Sequence, residues 1–203
     1  MTLYQLKPAF QSLLRPAVQR LARMGVTANQ VTVAACAISV ALGLGLYFLA
    51  ESTIWLALIS AWMLLRMAFN AVDGMLAREF GQQSRLGALL NELTDVLSDA
   101  ALYLPFAQVT PFDGFWVGAV IVLAGLSEFT GALGPTVGGT RRYDGPMGKS
   151  DRALVFGALA LWIAVFGPLP AWGVWLMPLL ALLLLITIAR RMRGALHEKH
   201  LAS

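Results

Sequence analysis

The chain has 203 residues, of which 58% are hydrophobic and only 13% charged, and its formal net charge is +4. A soluble domain carries about 25% charged residues, so the composition excludes an ordinary soluble protein and indicates an integral membrane protein. It also excludes a nucleic-acid partner, since that would need basic residues and exposed aromatics on a soluble module. The lone Cys36 lies in an apolar stretch, which excludes a disulfide framework and a cysteine-based metal site.

The first 24 residues carry apolar side chains at helical spacing, with basic residues between them. This pattern predicts an amphipathic helix over 1–24 that lies on the cytoplasmic membrane surface beside anionic headgroups. A plain topogenic leader explains the same residues equally well, and the two interpretations are compatible. A signal peptide is not indicated, since a short basic start, an apolar core and a cleavage site are missing.

Six apolar stretches follow, each near the roughly 20 residues that a helix needs to cross a bilayer. An open sheet cannot satisfy its backbone in lipid. The pattern therefore predicts an all-α membrane protein with one domain over 1–203 and a six-helix transmembrane bundle over 31–189. The predicted spans lie near 31–50, 53–73, 88–107, 114–134, 153–168 and 172–189, and a cytoplasmic tail follows over 190–203.

The cations are distributed unevenly between the two sides of the predicted bundle. Of fifteen Lys and Arg residues, only Arg66 falls inside a predicted span. The others lie before the first span, after the sixth, or in the loops after the second and fourth. The three opposite loops hold Glu51 and Asp113 but no Lys or Arg. The positive-inside rule then predicts cytoplasmic termini, and we expect the chain in a bacterial inner membrane.

Polar residues recur at helical spacing across the second and third predicted spans, where a membrane should hold hydrocarbon. The segment 70–95 reads NAVDGMLAREFGQQSRLGALLNELTD. Charges inside a bilayer are costly, so such a cluster indicates a functional site. With a hairpin turn near residue 82 and a rise of about 1.5 Å per residue, three pairs lie at matched depths: Asp73 with Asn91, Asn70 with Asp95, and Arg66 with Asp99.

Small residues and one arginine accompany these polar positions. Gly74, Ala77 and Gly87 remove bulk where two backbones, or a ligand, must come close. Arg78 stands at the mouth as a planar donor suited to phosphate. Together these residues predict a pocket of hard oxygen ligands that opens to the cytoplasm. Its natural occupant is Mg²⁺, with Mn²⁺ as the alternative, because both suit carboxylate and phosphate oxygens.

The segment resembles the signature of the CDP-alcohol phosphatidyltransferase family, Asp-x2-Asp-Gly-x2-Ala-Arg-x8-Gly-x3-Asp-x3-Asp. Every spacing fits. TANQVT (27–32) is similar to the family's usual Thr-x-Asn-x-Leu-Thr start, and the six-span layout and the basic GKSDR loop also agree. The resemblance implies a transferase of phospholipid biosynthesis that acts as a homodimer. It would move a substituted phosphate from a CDP-alcohol, usually CDP-diacylglycerol, to an acceptor hydroxyl and release CMP.

The resemblance also implies roles for single residues. In the family four aspartates hold two divalent ions, and the last is the general base. Here Asn70 and Asn91 replace the first and third aspartates, and an Asn carbonyl brings no charge to offset desolvation of an ion. The implied catalytic base is Asp95, the implied metal ligands are Asn70, Asp73, Asn91 and Asp95, and the implied nucleotide contacts are Asp73, Gly74, Ala77, Arg78 and Gly87.

Four cations are packed within twelve positions after the fourth predicted span. We expect them to bind the anionic part of a polar or phosphorylated alcohol acceptor, although ordinary positive-inside residues would look the same. They are Arg141, Arg142, Lys149 and Arg152. Arg66 and Asp99 are accessory candidates. A second alignment takes Asp95 and Asp99 as the final pair, which restores two carboxylates but breaks the spacing from Gly87.

Three other interpretations stay open at this point. The paired depths also suit a metal-free polar zipper, in which asparagines bond to aspartates across the helices and Arg66 pairs with Asp99 or with Glu128. The second hypothesis is a non-catalytic descendant that binds a nucleotide or a lipid headgroup. A small transporter is the weakest alternative, because the broken helices and inverted repeats often seen in transporters are not evident.

Overall fold

A computed structural model describes residues 3–49 and 52–198 of the chain. Over those residues the fold consists of seven α-helices and short 3₁₀ turns, with no strand, which confirms the all-α prediction. The helices are α1 (Leu3–Arg23), α2 (Ala28–Leu49), α3 (Ala57–Glu79), α4 (Arg85–Tyr103), α5 (Gly114–Ala132), α6 (Lys149–Phe166) and α7 (Leu176–His197).

Four segments in this part of the chain are long and apolar enough to cross a membrane: Ala28–Leu49, Thr53–Glu79, Gly114–Ala132 and Ala171–His197. Large apolar side chains such as Phe48, Leu64 and Leu182 are exposed on their outer faces, as lipid contact requires. The molecule is therefore an integral membrane protein. The six-span count stays a prediction, and so does the interfacial position of α1, whose Val18 is fully buried.

Several helix boundaries differ from the predicted spans by a few residues, and two of the differences concern α6 and α7. Helix α6 begins at Lys149 rather than near 153, because the Asp151 carboxylate accepts a hydrogen bond of 2.9 Å from the Gly148 N–H and caps the first turn. The predicted loop residues Lys149 and Arg152 therefore lie on a helix. Helix α7 continues to His197, so the predicted tail is helical over 190–197. The end of that tail, beyond 198, and Glu51 lie outside the described residues.

Helices α2 and α4 cross closely at Gly43. A Cβ atom on Gly43 would lie 2.1 Å from the carbonyl oxygen of Ala101, whereas one on Gly45 would meet nothing within 4 Å. We expect Gly43→Ala to lower the free energy of unfolding by about 1–3 kcal/mol, the usual cost of overpacking, because the helices must separate. In the same helix Gly45→Ala should be neutral or stabilising. Unfolding in mixed detergent micelles measures both, and equal values would contradict this packing.

The apolar core lies on one side of the polar segment. Trp62 of α3 donates its indole N–H to Ser39 at 2.8 Å, and the rings of Tyr103 and Phe156 stack with centroids 3.8 Å apart. One turn from Trp62 along α3, Arg66 begins a run of buried charges. This core holds α3, α4 and α6 together where their polar residues face one another.

Candidate active site

A cavity of about 760 Å³ opens where α2, α4 and α6 begin and α3 ends. Most of the residues predicted for the site line it: Asn70, Asp73, Gly74, Ala77, Arg78, Gly87, Asn91, Arg141 and Lys149. A second cavity of about 290 Å³ lies between α3 and α6. Asn70 and Lys149 line both cavities, so these two residues mark the place where the cavities adjoin.

The turn between α3 and α4 holds three helix ends together at this cavity. Gly81 adopts a left-handed φ of 66° just after α3, a conformation that favours glycine. Ser84 accepts a 2.9 Å hydrogen bond from Gly87 N–H and caps α4. The Gln82 side chain accepts a 2.7 Å bond from Ala28 N–H at the start of α2. The predicted turn near residue 82 is confirmed, and its side chains set the cavity's rim.

The small residues of the motif provide space for polar side chains. A Cβ atom on Gly87 would lie 2.7 Å from Oδ1 of Asn29, and one on Gly74 would lie 2.9 Å from a guanidinium nitrogen of Arg78. The glycines therefore let Asn29 and Arg78 lie flat against the cavity wall. The glycines thus have a steric role, but toward side chains rather than toward the backbone or ligand that the sequence led us to expect.

Asp73 is the buried acid of the larger cavity. Its side chain is 7% exposed, and Oδ2 accepts a 2.7 Å hydrogen bond from the Thr32 hydroxyl of α2. Among the described side chains no cation lies within 4.0 Å of it, so its negative charge is not neutralised by an ion pair. An acid of this kind is suited to a cationic ligand.

Asp95 has a different environment, since cations engage both of its oxygens. Nη2 of Arg66 bonds Oδ1 at 3.1 Å, and the Lys149 ammonium pairs with Oδ2. Lys149 is the first residue of α6, where the helix dipole disfavours a cation. The contact with Asp95 compensates for that position. Asp95 therefore lies just behind the Lys149 ammonium rather than on either cavity wall.

Behind Asp95 the bundle contains a buried ion-pair network. Nη1 of Arg66 bonds Asp99 at 2.6 Å, which confirms the predicted Arg66–Asp99 pair. Asp99 also pairs with Arg152 at 3.0 Å, and Glu128 pairs with Arg152 at 3.1 Å and with Arg191 at 3.4 Å. Glu128 is thus not the partner of Arg66. Both oxygens of Asp99 are engaged by guanidinium groups, and Asp99 lines neither cavity, which disfavours the alignment that makes it a metal ligand.

The four cations expected at the acceptor site separate into two pairs. Arg141 and Lys149 line the larger cavity. Arg142 and Arg152 do not, contrary to our expectation. Arg142 bonds Asp144 at 2.7 Å and Glu198 at 3.2 Å, and it lowers the pKa of Asp144. Arg152, only 1% exposed, is used by the buried network. In each case carboxylates elsewhere in the fold attract the guanidinium.

The sequence analysis missed several lining residues. Asn29 and Thr32 belong to TANQVT, the stretch matched to the family but given no role, so that motif was the signal for them. Glu92 was left out because it lies off the face of Asn91, but it lines the cavity and pairs with Arg141. Tyr143 also lines the cavity, and the Arg141 guanidinium lies 4.8 Å from its ring centroid. Nothing in the sequence pointed to Tyr143.

Of the predicted polar zipper, only the Arg66–Asp99 pair forms among the described residues. Over the described residues, the hydrogen bonds of Asp73 and Asp95 go to Thr32, Arg66 and Lys149, and none joins an aspartate to an asparagine. No group of three His, Cys, Asp or Glu side chains in that part of the chain is arranged to hold a metal. Of the four predicted metal ligands, three line the larger cavity: Asp73 and the carboxamides Asn70 and Asn91, a set with one negative charge.

The family's sequence profile, described as CDP-alcohol phosphatidyltransferase, matches residues 25–186. This chain belongs to that family. As a family member it is a membrane transferase of phosphorus-containing groups that acts on a CDP-alcohol in phospholipid synthesis. The match covers every residue lining the larger cavity, from Ala28 to Lys149.

Individual proteins agree with this family assignment. The chain is 48% identical to the inner membrane protein YnbA of Escherichia coli (strain K12) over 196 residues, which are 97% of each chain. It also superposes on Mycobacterium tuberculosis phosphatidylinositol phosphate synthase with CDP-DAG bound, with a TM-score of 0.75 and 24% identity, covering 93% of this chain and 96% of the other. The same synthase in complex with manganese and citrate gives a TM-score of 0.74 at 24% identity, covering 93% and 91%. At this identity the structural likeness shows the shared fold.

Proposed function

We propose that this transferase moves a substituted phosphate from CDP-diacylglycerol to the hydroxyl of a polar or phosphorylated alcohol and releases CMP. The observation that carries the proposal is the larger cavity. It combines Asp73, the glycine-lined wall and Arg78 on one side with Arg141 and Lys149 on the other. Those are the groups needed to hold a pyrophosphate between a nucleoside and a lipid.

The donor side of the cavity suits a cytidine diphosphate. Gly74 and Gly87 make room for the side chains of Arg78 and Asn29 along the cavity wall, which Ala77 also lines. The nucleotide would lie against this wall, where Arg78 offers a planar set of donors to phosphate oxygens. A divalent ion, Mg²⁺ or Mn²⁺, would be held by Asp73 with the carbonyls of Asn70 and Asn91. There it would neutralise the phosphate charge that grows during transfer.

The acceptor side supplies the base and the positive charge. The acceptor hydroxyl enters beside the Lys149 ammonium, where the two cavities adjoin. It loses its proton to Asp95, whose side chain is 14% exposed, and its oxygen attacks the phosphorus that bears diacylglycerol. A new P–O bond then forms, and the bridging P–O bond breaks with its electrons going to CMP. Each carboxylate oxygen has two lone pairs, so Asp95 can accept this proton while Arg66 and Lys149 remain bound. Arg141 and Lys149 attract the anionic part of a phosphorylated acceptor.

We further propose an inner-membrane location with both termini cytoplasmic, and a homodimer as the family resemblance implies. The orientation is supported by the distribution of cations. Arg78, Arg141 and Lys149 line one cavity at one end of the bundle, whereas Asp113 caps α5 from the loop after α4. Cytidine nucleotides and soluble acceptors then reach the cavity from the cytoplasm.

The test is CMP release by the purified full-length protein in detergent. It is given CDP-diacylglycerol, Mg²⁺ or Mn²⁺, and a panel of polar alcohols with and without a phosphate. We expect release that requires both an acceptor and a divalent ion, faster with a phosphorylated acceptor. If CDP binds but no acceptor releases CMP, the alternative of a non-catalytic nucleotide- or headgroup-binding protein is favoured. Binding of neither nucleotide nor lipid contradicts both.

A further inference from the structure

The two acids of the motif differ in charge balance, and this difference limits the number of metal ions. Asp73 has no ion-pair partner within 4.0 Å among the described residues, whereas Asp95 contacts two cations, Arg66 and Lys149. Two divalent ions would add four positive charges to two carboxylates, one of which, Asp95, already contacts two cationic side chains. Because like charges at such distances repel strongly in a partly buried site, a second ion on Asp95 is disfavoured.

The position of the Lys149 ammonium is set by the start of helix α6. It begins α6, and the Gly148–Asp151 cap that starts the helix there carries the ammonium to the place where the two cavities adjoin. The same cavity is lined by the two carboxamides Asn70 and Asn91 of the motif helices. A lysine beside two neutral residues needs fewer negative charges around it than a divalent ion does.

Building on the function proposed above, we propose that this site holds one divalent ion, on Asp73, and that the Lys149 ammonium takes the place of a second ion on Asp95. The ammonium supplies a fixed positive charge beside the reacting phosphate without a free metal. The same arrangement explains why positions 70 and 91 hold the neutral residues Asn70 and Asn91. Carboxylates there would leave negative charge that one divalent ion and one lysine do not neutralise.

The test is a titration of the full-length protein in detergent with Mn²⁺ alone, followed by the electron paramagnetic resonance signal of the free ion. We expect one Mn²⁺ per chain. Asp73→Asn should weaken its binding at least about 100-fold, since even loss of an outer partner costs about 10–100-fold. Asp95→Asn should leave it bound. Two ions in the unchanged protein, none at all, or an ion lost with Asp95→Asn and kept with Asp73→Asn would each overturn the proposal.

Lys149 itself is tested by a gain of binding, which a misfolded variant cannot produce. Lys149→Met combined with Asn91→Asp should bind a second Mn²⁺, because the ammonium is gone and a carboxylate is added. Lys149→Arg combined with Asn91→Asp keeps the positive charge and should still bind one. If both double variants bind the same number of ions, the proposal is wrong. The readout needs no substrate, so its outcome is independent of whether CMP is released.

Discussion

Asp95→Asn is expected to lower the rate of CMP release by about 10²–10⁴-fold, the usual loss when a general base is removed. The carboxamide has nearly the shape of the carboxylate but cannot take a proton from the acceptor hydroxyl. Arg66 keeps its second partner, Asp99, at 2.6 Å, so the buried network should persist. The rate at saturating acceptor is the quantity to measure, together with CDP binding, which should change little because Asp95 does not line the larger cavity.

A matched control is Asp113→Asn. Asp113 caps α5 by accepting a hydrogen bond from Phe115 N–H at 2.9 Å, and asparagine caps helices about as well as aspartate. This change removes one carboxylate from the chain without altering the site or the fold, so turnover should be unchanged. An Asp95→Asn protein that releases CMP at the normal rate would show that the proton goes elsewhere.

Arg152→Met is expected to lower the free energy of unfolding by about 3–5 kcal/mol, the typical cost of breaking a buried ion pair from one side. Arg152 is 1% exposed and bonds Asp99 at 3.0 Å and Glu128 at 3.1 Å. Methionine fills similar space but leaves both carboxylates with one cationic partner fewer inside the bundle. The loss should appear as earlier unfolding in a detergent titration and as a lower Tm.

The comparison variant for this prediction is Arg15→Met. Arg15 also forms an ion pair, with Glu79 at 2.9 Å, but roughly half of its side chain is exposed. Water and salt screen such a pair, so its removal should hardly change the stability. Similar losses for Arg152→Met and Arg15→Met would contradict the view that burial makes the network important.

Much of the fold followed from local patterns in the sequence. Apolar stretches of bilayer length are a local property, so the all-α membrane class and the turn near residue 82 were predicted correctly. The start of α6 was not, because the stretch before 153 is polar and rich in glycine. Its helix begins early through one capping contact, Gly148 to Asp151. A single capping contact is hard to predict from a sequence in which the neighbouring glycines disfavour a helix.

The candidate site likewise has residues that the sequence predicted and residues that only the structure shows. Positions on α3 and α4 with helical spacing had to share a face, so Asn70, Asp73, Gly87 and Asn91 were correctly brought together. Residues from other elements were harder. Thr32 reaches Asp73 from α2, and only the packing of α2 against α3 shows that contact.

The sequence alone determined the family, the membrane class and the residues of the central motif, because helical periodicity and hydropathy act over neighbouring residues. The tertiary structure decided which of the cations face the cavity. The sequence does not show which way a cationic side chain points. Each long side chain pairs with whichever carboxylate the fold brings near it. Arg142 and Arg152 therefore pair elsewhere, whereas Lys149 contacts Asp95. That contact brings a cation of α6 onto an aspartate of the motif, which spacing along the sequence could not show because the two residues are 54 positions apart.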